Sequence, residues 1–255
     1  MRTGIGRTDI GKVRSKNQDA LFVQNDGFGG LVNLYIVADG MGGHKAGEVA
    51  SQKAIEAFCA YLEENPGSDL EGHDLEKHLR VGVIRANRRV FEMQKGNNDW
   101  RGMGTTFSLC TIKDDALTFA HVGDSRIYAV GRVGGVGGGG GLRLVSDDHS
   151  LTAELLRLGK ITEDEARSHP HKNIMTRALG TENTLDVDTG SIKIARDERI
   201  LICSDGLNNM VTDERILAIM NEEGTDAAKA DALVAAALEN GGKDNISLIL
   251  ISSLE

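Results

Sequence analysis

Two patterns of apolar residues alternate along this chain, and their order limits the possible folds more than any other feature. Short apolar and β-branched runs, which are typical of strands, come first and end near residue 38. Apolar residues then recur at helical spacing over residues 46–64 and over a second segment that stops at Gly96. These helical segments are followed by four strand-like runs and a polar stretch. Two more strand-like runs, two further helical segments and a last strand-like run complete the chain. The chain therefore alternates groups of strands with pairs of helices.

The size of the chain decides how these elements are grouped. With 255 residues, 40% of them hydrophobic, it can bury one large core, so we expect a single domain over residues 1–255. About ten strands and two helix pairs are best accommodated by two antiparallel sheets that pack face to face, with one helix pair on each outer face. We therefore predict an α+β fold, a four-layer αββα sandwich, in which the glycine-rich residues 131–141 form a hairpin loop.

Charge and cysteine content exclude several classes of protein. A net charge of −9 and a pI of about 5.3 argue against an extended basic surface for nucleic acid. The three cysteines lie far apart in apolar segments, which is typical of buried thiols in a reducing compartment. The N-terminus has no apolar signal segment, and no apolar run approaches the roughly 18 residues of a membrane span. We expect a cytoplasmic protein without nucleic-acid or membrane partners.

Five aspartates lie where a strand-like run meets a loop. Asp39 ends one such run, and Gly40 after it has no Cβ to keep its carbonyl away from a ligand. Asp19 begins the preceding strand-like run, so antiparallel pairing would place it beside Asp39. Asp205 and Asp244 occupy equivalent places near the end of the chain, and Asp124 follows a strand in the middle. The pattern predicts that these carboxylates converge.

Each aspartate alone is better explained as an ordinary turn or cap residue, since Asp and Gly are common in turns. Together, however, several carboxylates at one sheet edge would repel one another unless cations neutralise them. Oxygen ligands without His or Cys favour Mg²⁺ or Mn²⁺ over zinc, and two such ions about 3.5 to 4 Å apart can hydrolyse phosphate esters. Arg14, five residues before Asp19, offers a bidentate phosphate contact, although an exposed loop arginine explains it as well.

Seven short motifs then carry a resemblance to a known family. They are residues 14–19 (RSKNQD), 37–44 (VADGMGGH), 104–106 (GTT), 121–128 (HVGDSRIY), 148–150 (DHS), 204–207 (SDGL) and 244–247 (DNIS). In this order they resemble the bacterial metal-dependent protein phosphatases of type 2C, the PPM family. The resemblance spans nearly the whole chain.

The resemblance implies a reaction and a metal site. It implies hydrolysis of phosphoserine and phosphothreonine in proteins, by in-line attack of a water that bridges two Mn²⁺ or Mg²⁺ ions, without a covalent intermediate. Asp39 would bridge both ions and the Gly40 carbonyl would bind the second. Asp205 and Asp244 would complete the first, and Asp124, with Asp205, would bind a weaker third ion.

The same resemblance implies roles for the surrounding residues. Arg14 would bind the substrate phosphate and Asp19 would orient metal-bound waters, while residues 149–172 would form a flap beside the site. Two residues depart from the family pattern. Met41 stands where animal members often carry a His that is a proposed general acid, and Gln18 replaces a common acidic residue, which is expected to weaken or alter binding of the second metal.

The sequence thus favours an enzyme, a protein serine/threonine phosphatase in signal transduction. Its expected partners are phosphorylated proteins, including a bacterial Ser/Thr kinase and that kinase's substrates, and we expect a monomer. Two alternatives stay open: a non-catalytic regulatory module that binds phosphoproteins with the same fold, and an esterase for small phosphate esters. The first alternative is disfavoured because the catalytic-type residues are all present, namely Arg14, Asp39, Asp205 and Asp244.

Overall fold

The computed structural model of the protein describes residues 2–43, 46–131, 141–172 and 174–253. Its strands are β1 (Arg2–Asp9), β2 (Asp19–Gln24), β3 (Leu34–Met41), β4 (Gly104–Thr105), β5 (Phe107–Lys113), β6 (Ala116–Val122), β7 (Arg126–Val130), β8 (Leu142–Leu144), β9 (Asp188–Lys193), β10 (Arg199–Cys203) and β11 (Ile246–Ser253). Its helices are α1 (Ala46–Glu64), α2 (Gly72–Gln94), α3 (Leu151–Arg157), α4 (Glu163–Ser168), α5 (Asp205–Asn208), α6 (Asp213–Asn221) and α7 (Asp226–Glu239), with a 3₁₀ turn at Asn98–Trp100.

The strands form two antiparallel sheets. One sheet has the order β1-β11-β10-β7-β8, and the other has the order β2-β3-β5-β6-β9 with the short β4 paired to β3. Helices α1 and α2 cover the outer face of the second sheet, and α6 and α7 cover the outer face of the first. The predicted four-layer αββα sandwich is therefore confirmed.

Strand alternation explains why the sandwich has three apolar layers. In β3, Ile36 packs under α1 and α2, whereas its neighbours Tyr35 and Val37 face the opposite sheet. In β10, Leu201 packs under the α6–α7 pair and Ile202 faces the layer between the sheets. Strands that are apolar on both faces can lie only in the middle of such a structure, which holds their ends in fixed positions.

Most predicted elements are confirmed, with three differences. The first of the four strand-like runs in the middle of the chain, expected as one strand over residues 105–112, is divided at Thr106, whose backbone N–H donates to the Asp39 carbonyl at 2.8 Å. The strand-like run expected to begin at residue 185 becomes β9, which begins only at Asp188, where its pairing with β6 ends at His121. The sequence also gave no sign of the short helix α5.

Two further observations concern predicted loops and spans. The glycine-rich hairpin loop predicted for 131–141 lies outside the described residues except for its ends, which are joined by a hydrogen bond from Gly131 N to Gly141 O of 2.9 Å. Among the helices that the structure describes, none combines the length and hydropathy needed to cross a bilayer.

Candidate metal centre

The five predicted aspartates meet at one edge of the sandwich. The β2–β3 register places Asp19 directly opposite Asp39. In the other sheet Cys203 pairs with Leu248, so Asp205, just after β10, and Asp244, just before β11, leave the sheet at the same edge. The charges of Asp19, Asp205, Asp124 and Asp244 all act on Asp39. The convergence that strand pairing predicted is therefore present in the fold.

Hydrogen bonds join the two sheets at this edge. The Ser204 hydroxyl donates to Asp19 Oδ2 at 2.9 Å and accepts from the Ser247 N–H at 3.0 Å. Asn245 accepts from the Gln18 N–H at 2.8 Å through Oδ1, and its Nδ2 donates to the carbonyls of Ile10 and Lys16, both at 2.9 Å. Asn245 thus fixes the loop that carries Arg14.

Thr106 holds the backbone of Asp39 from the other side. The Asp39 N–H donates to Thr106 Oγ1 at 2.9 Å, and the Asp39 carbonyl accepts from the Thr106 N–H at 2.8 Å. The Thr106 hydroxyl also lies 2.7 Å from the Ser125 hydroxyl, directly after Asp124. Sequence patterns alone predicted no role for Thr106, Ser204 or Asn245, although all three lie inside the seven family motifs.

The glycines after Asp39 and Asp205 are required by close packing. A Cβ on Gly40 would lie 2.0 Å from the Gly47 carbonyl oxygen, and a Cβ on Gly206 would lie 1.9 Å from the Asn245 carbonyl oxygen. No side chain fits at either place without backbone movement. Each Asp-Gly pair therefore lets another backbone segment pass directly behind its aspartate.

Burial and mutual repulsion raise the pKa of four of the aspartates. For Asp39, burial and then the charges of Asp19 and Asp205 raise the pKa well above its ordinary value. Burial, followed by the charges of Asp124 and Asp244, raises the pKa of Asp205 to about 8. Burial raises the pKa of Asp19 and of Asp124 to about 6. Protein atoms alone do not stabilise this collection of negative charges.

The donor atoms of this cluster fit hard divalent cations. Asp19 Oδ1 and Asp205 Oδ1 are buried and accept no hydrogen bond, which is costly for a carboxylate unless a cation satisfies it. The cluster offers oxygen atoms, as Mg²⁺ and Mn²⁺ prefer. As the described side chains stand, no group of three or more His, Cys, Asp or Glu residues could hold an ion. Side-chain rotation must therefore accompany binding.

Arg14 lies at the rim of the cluster. Its side chain is 52% exposed, and its Nη2 donates to Asp244 Oδ2 at 2.6 Å. This hydrogen bond raises the pKa of Arg14. The guanidinium is therefore within reach of any anion that binds over the aspartates, and it competes with a cation for Asp244.

The two departures from the family pattern have defined places. The Gln18 carbonyl accepts from the Gly40 N–H at 3.1 Å, and its Nε2 lies so close to Gly47 that a Cβ there would stand 2.7 Å from it. The Met41 side chain packs against Gly104, where a Cβ would lie 2.9 Å from its Cε, so an apolar group stands at this position. His44 lies outside the described residues.

A cleft of about 440 Å³ opens beside the cluster. One wall comes from the predicted flap region, where the Ser150 side chain caps α3 and Thr162 and Glu165 form a capping box at the start of α4. Asp124, Asp205 and residues 208–213 also line the cleft. The flap region thus borders the aspartate cluster.

Comparisons with known proteins agree with this geometry. A family model described as protein phosphatase 2C matches residues 9–240. The serine/threonine phosphatase stp of Listeria monocytogenes is 36% identical over 247 residues, covering 96% of this chain and 93% of that protein. The S. agalactiae serine/threonine phosphatase superposes with a TM-score of 0.87 at 35% identity, covering 100% of both chains. The catalytic domain of the phosphatase PstP, solved with two manganese ions, has a TM-score of 0.82 at 31% identity and covers 100% of this chain and 99% of that one.

Proposed function

Because the chain belongs to the protein phosphatase 2C family and is a serine/threonine protein phosphatase of the bacterial type, we propose that it works by two-metal hydrolysis at Asp39. Its substrates are phosphoserine and phosphothreonine in cytoplasmic proteins, including a Ser/Thr kinase and the substrates of that kinase. Residues 1–255 act as one monomeric phosphatase domain.

One observation carries the metal assignment. Two carboxylate oxygens, Asp19 Oδ1 and Asp205 Oδ1, are buried without a hydrogen-bond donor inside a cluster whose pKa values are raised. In the proposed site Asp39 would be a ligand of both Mn²⁺ or Mg²⁺ ions, the Gly40 carbonyl would hold one of them, and Asp205 and Asp244 would hold the other. The two manganese ions of the related PstP structure support this assignment.

The bound ions supply a water of lowered pKa as nucleophile and polarise the phosphoryl oxygens. Arg14 binds the phosphate after leaving Asp244, and its loop is held in place by Asn245. Asp19, fixed by the Ser204 hydroxyl, presents Oδ1 to orient waters in the site. Asp124 and Asp205, which both line the cleft, would together hold a weaker third ion.

A covalent phosphoenzyme at Ser204 is disfavoured by how the Ser204 hydroxyl beside the cluster is held. Ser204 Oγ donates to Asp19 and accepts from Ser247, so its proton and one lone pair are committed to positioning. The Met41 thioether carries no proton for the leaving group. Direct attack by water on the phosphorus, with the leaving-group proton drawn from solvent in the cleft, fits these residues best.

The test is phosphate release from phosphoserine, phosphothreonine and phosphotyrosine peptides with Mn²⁺, with Mg²⁺ and with a chelator. We expect metal-dependent release from the first two peptides and its loss in Asp39→Asn. Asp99→Asn, an exposed aspartate on the 3₁₀ turn, is the matched control and should keep full activity. Activity that survives the chelator refutes the proposal, and activity confined to small esters favours the esterase alternative.

A further inference from the structure

His149 is a buried imidazole that lies outside the proposed ligand set yet touches the loop that carries Asp124. It is 1% exposed and lies directly before the Ser150 cap of α3. The backbone N–H of Gly123 donates to His149 Nδ1 at 3.1 Å, and the backbone N–H of His149 donates to the Gly123 carbonyl at 2.8 Å. Gly123 immediately precedes Asp124, so this reciprocal pair fixes the peptide from which the Asp124 side chain leaves.

The hydrogen bonds of the two ring nitrogens of His149 fix its tautomer. Because Nδ1 accepts from an amide, the neutral imidazole carries its proton on Nε2, and this N–H donates to Asp188 Oδ2 at 3.0 Å. Arg177 Nη1 donates to the other oxygen of Asp188 at 2.7 Å. Burial lowers the pKa of His149, which keeps the ring neutral. A carboxylate that accepts from Nε2 fixes the tautomer and the orientation of the ring.

The same residue holds both ends of the flap region. The His149 carbonyl accepts from the Thr176 N–H at 2.8 Å, and the Leu151 N–H donates to the Ile174 carbonyl at 2.9 Å. Arg177, which pairs with Asp188, follows directly on the returning segment. The start and the return of this region are therefore joined at the point where His149 contacts Gly123.

The Gly123 peptide has little freedom to adapt if this contact is lost. Its φ is +110°, and a Cβ there would lie 2.6 Å from the Thr106 side chain. His121 packs against the His149 ring with centroids 4.9 Å apart and is itself held by Ser108 Oγ at 2.8 Å. If the Gly123 N–H lost its acceptor, it would stay buried without a hydrogen bond and would cost the full desolvation penalty of an unpaired amide.

We propose that His149 is a positioning residue that sets the place of Asp124 through Gly123, and so links binding of the weaker third ion to the placement of the flap region. This inference rests on the proposed function, because it assumes that Asp124 is a ligand. No step of the hydrolysis passes through His149 itself.

Two substitutions separate the two halves of the contact. In His149→Asn the amide oxygen lies near the site of Nδ1 and can accept from the Gly123 N–H, but the side chain is too short to reach Asp188. In His149→Gln the side-chain amide reaches the site of Nε2 and can donate to Asp188, but the Gly123 N–H is left without an acceptor. Asp188→Asn is a third variant at a partly exposed position, which allows the ring to take its other tautomer.

The measurement is calorimetric titration of the metal-free protein with Mn²⁺, which needs no substrate. We expect two tight sites and one weak site in the native chain, and about a tenfold rise of the weak-site Kd in His149→Gln and in Asp188→Asn, as for other supports behind metal ligands. His149→Asn should bind the third ion within about twofold of the native chain. The tight sites should change little in all three variants.

Leu233→Ala is the control for a general loss of stability, since Leu233 is fully buried in the layer under α6 and α7. It should lower the melting temperature and leave the weak-site Kd unchanged. Unchanged weak-site binding in both His149→Gln and Asp188→Asn would overturn the inference, as would a native chain that binds only two ions. Neither result affects the proposed phosphatase activity at the two tightly bound ions, which instead fails if the native chain releases no phosphate from phosphopeptides.

Discussion

Removal of metal should make the stability of this protein fall as the pH rises above 7. Burial raises the pKa of Asp205 to about 8, whereas the same side chain in the unfolded chain ionises near its ordinary value of 3.8. Between these values the folded protein binds the extra proton, so unfolding releases it and becomes easier at higher pH. The stability associated with Asp205 is present at low pH and is lost as the pH rises through about 8.

The size of the effect follows from one proton. A folded state that binds one proton more than the unfolded chain loses about 1.4 kcal/mol of unfolding free energy per pH unit. With a pKa of about 8, Asp205 in the folded protein is mostly protonated at pH 7 and half ionised at pH 8, so the loss over this interval is somewhat smaller. The expected loss is therefore about 1 kcal/mol, and Asp39, whose pKa is also raised, acts in the same direction. The buried histidines do not interfere, because the pKa values of His121 and His149 are lowered and they stay neutral in this interval.

Urea unfolding at pH 7 and pH 8 measures this change. In chelator the native chain should lose about 1 kcal/mol, whereas in saturating Mn²⁺ the carboxylates are ionised at both pH values and the difference should vanish. Asp205→Asn is the matched control, and it should lose most of the slope in chelator. A metal-free protein that is equally stable or more stable at pH 8 would show that the pKa values of the buried carboxylates are not raised in the folded protein, and would refute the reasoning.

Three substitutions test the other parts of the site. Arg14→Ala should lower kcat/KM for a phosphothreonine peptide by about tenfold to a hundredfold, the cost of a charge-assisted hydrogen bond of about 1.5 to 3 kcal/mol; an unchanged value would place the phosphate elsewhere. Thr106→Val should destabilise the fold by about 1 to 3 kcal/mol in urea unfolding, because it leaves the Asp39 N–H without its acceptor, whereas Thr106→Ser should not. Gly40→Ala should abolish binding of Mn²⁺ in calorimetry or prevent folding, since its Cβ would lie 2.0 Å from a carbonyl oxygen, while Gly43→Ala has open space and should behave like the native chain.

The fold was accessible from the sequence because its elements are locally encoded. Residues 46–64 carry helical spacing, and α1 spans the same residues. The position of Asp19 beside Asp39 followed from antiparallel pairing of two consecutive strands, and the register confirms it. Where one strand follows another closely, the pattern of the chain is enough to bring two carboxylates together.

Features that depend on contacts between distant segments were not accessible. The Asp205-Gly206 pair was interpreted as a turn like Asp39-Gly40, but Asp205 begins α5, which has four residues and is too short to show a helical period. The contact of Ser204 with Asp19 joins residues 185 positions apart, and no local pattern reports it. The same holds for His149, whose contact with Gly123 depends on how two loops meet.

The most direct test of the dinuclear site is the number of Mn²⁺ ions that bind tightly to the native chain and to Asp39→Asn. Asp39 is proposed as the ligand shared by both ions, so its replacement should remove both tight sites together. Asp244→Asn, which alters a ligand of one ion, should remove only one. Two tight ions retained in Asp39→Asn would contradict the proposed bridging role of Asp39.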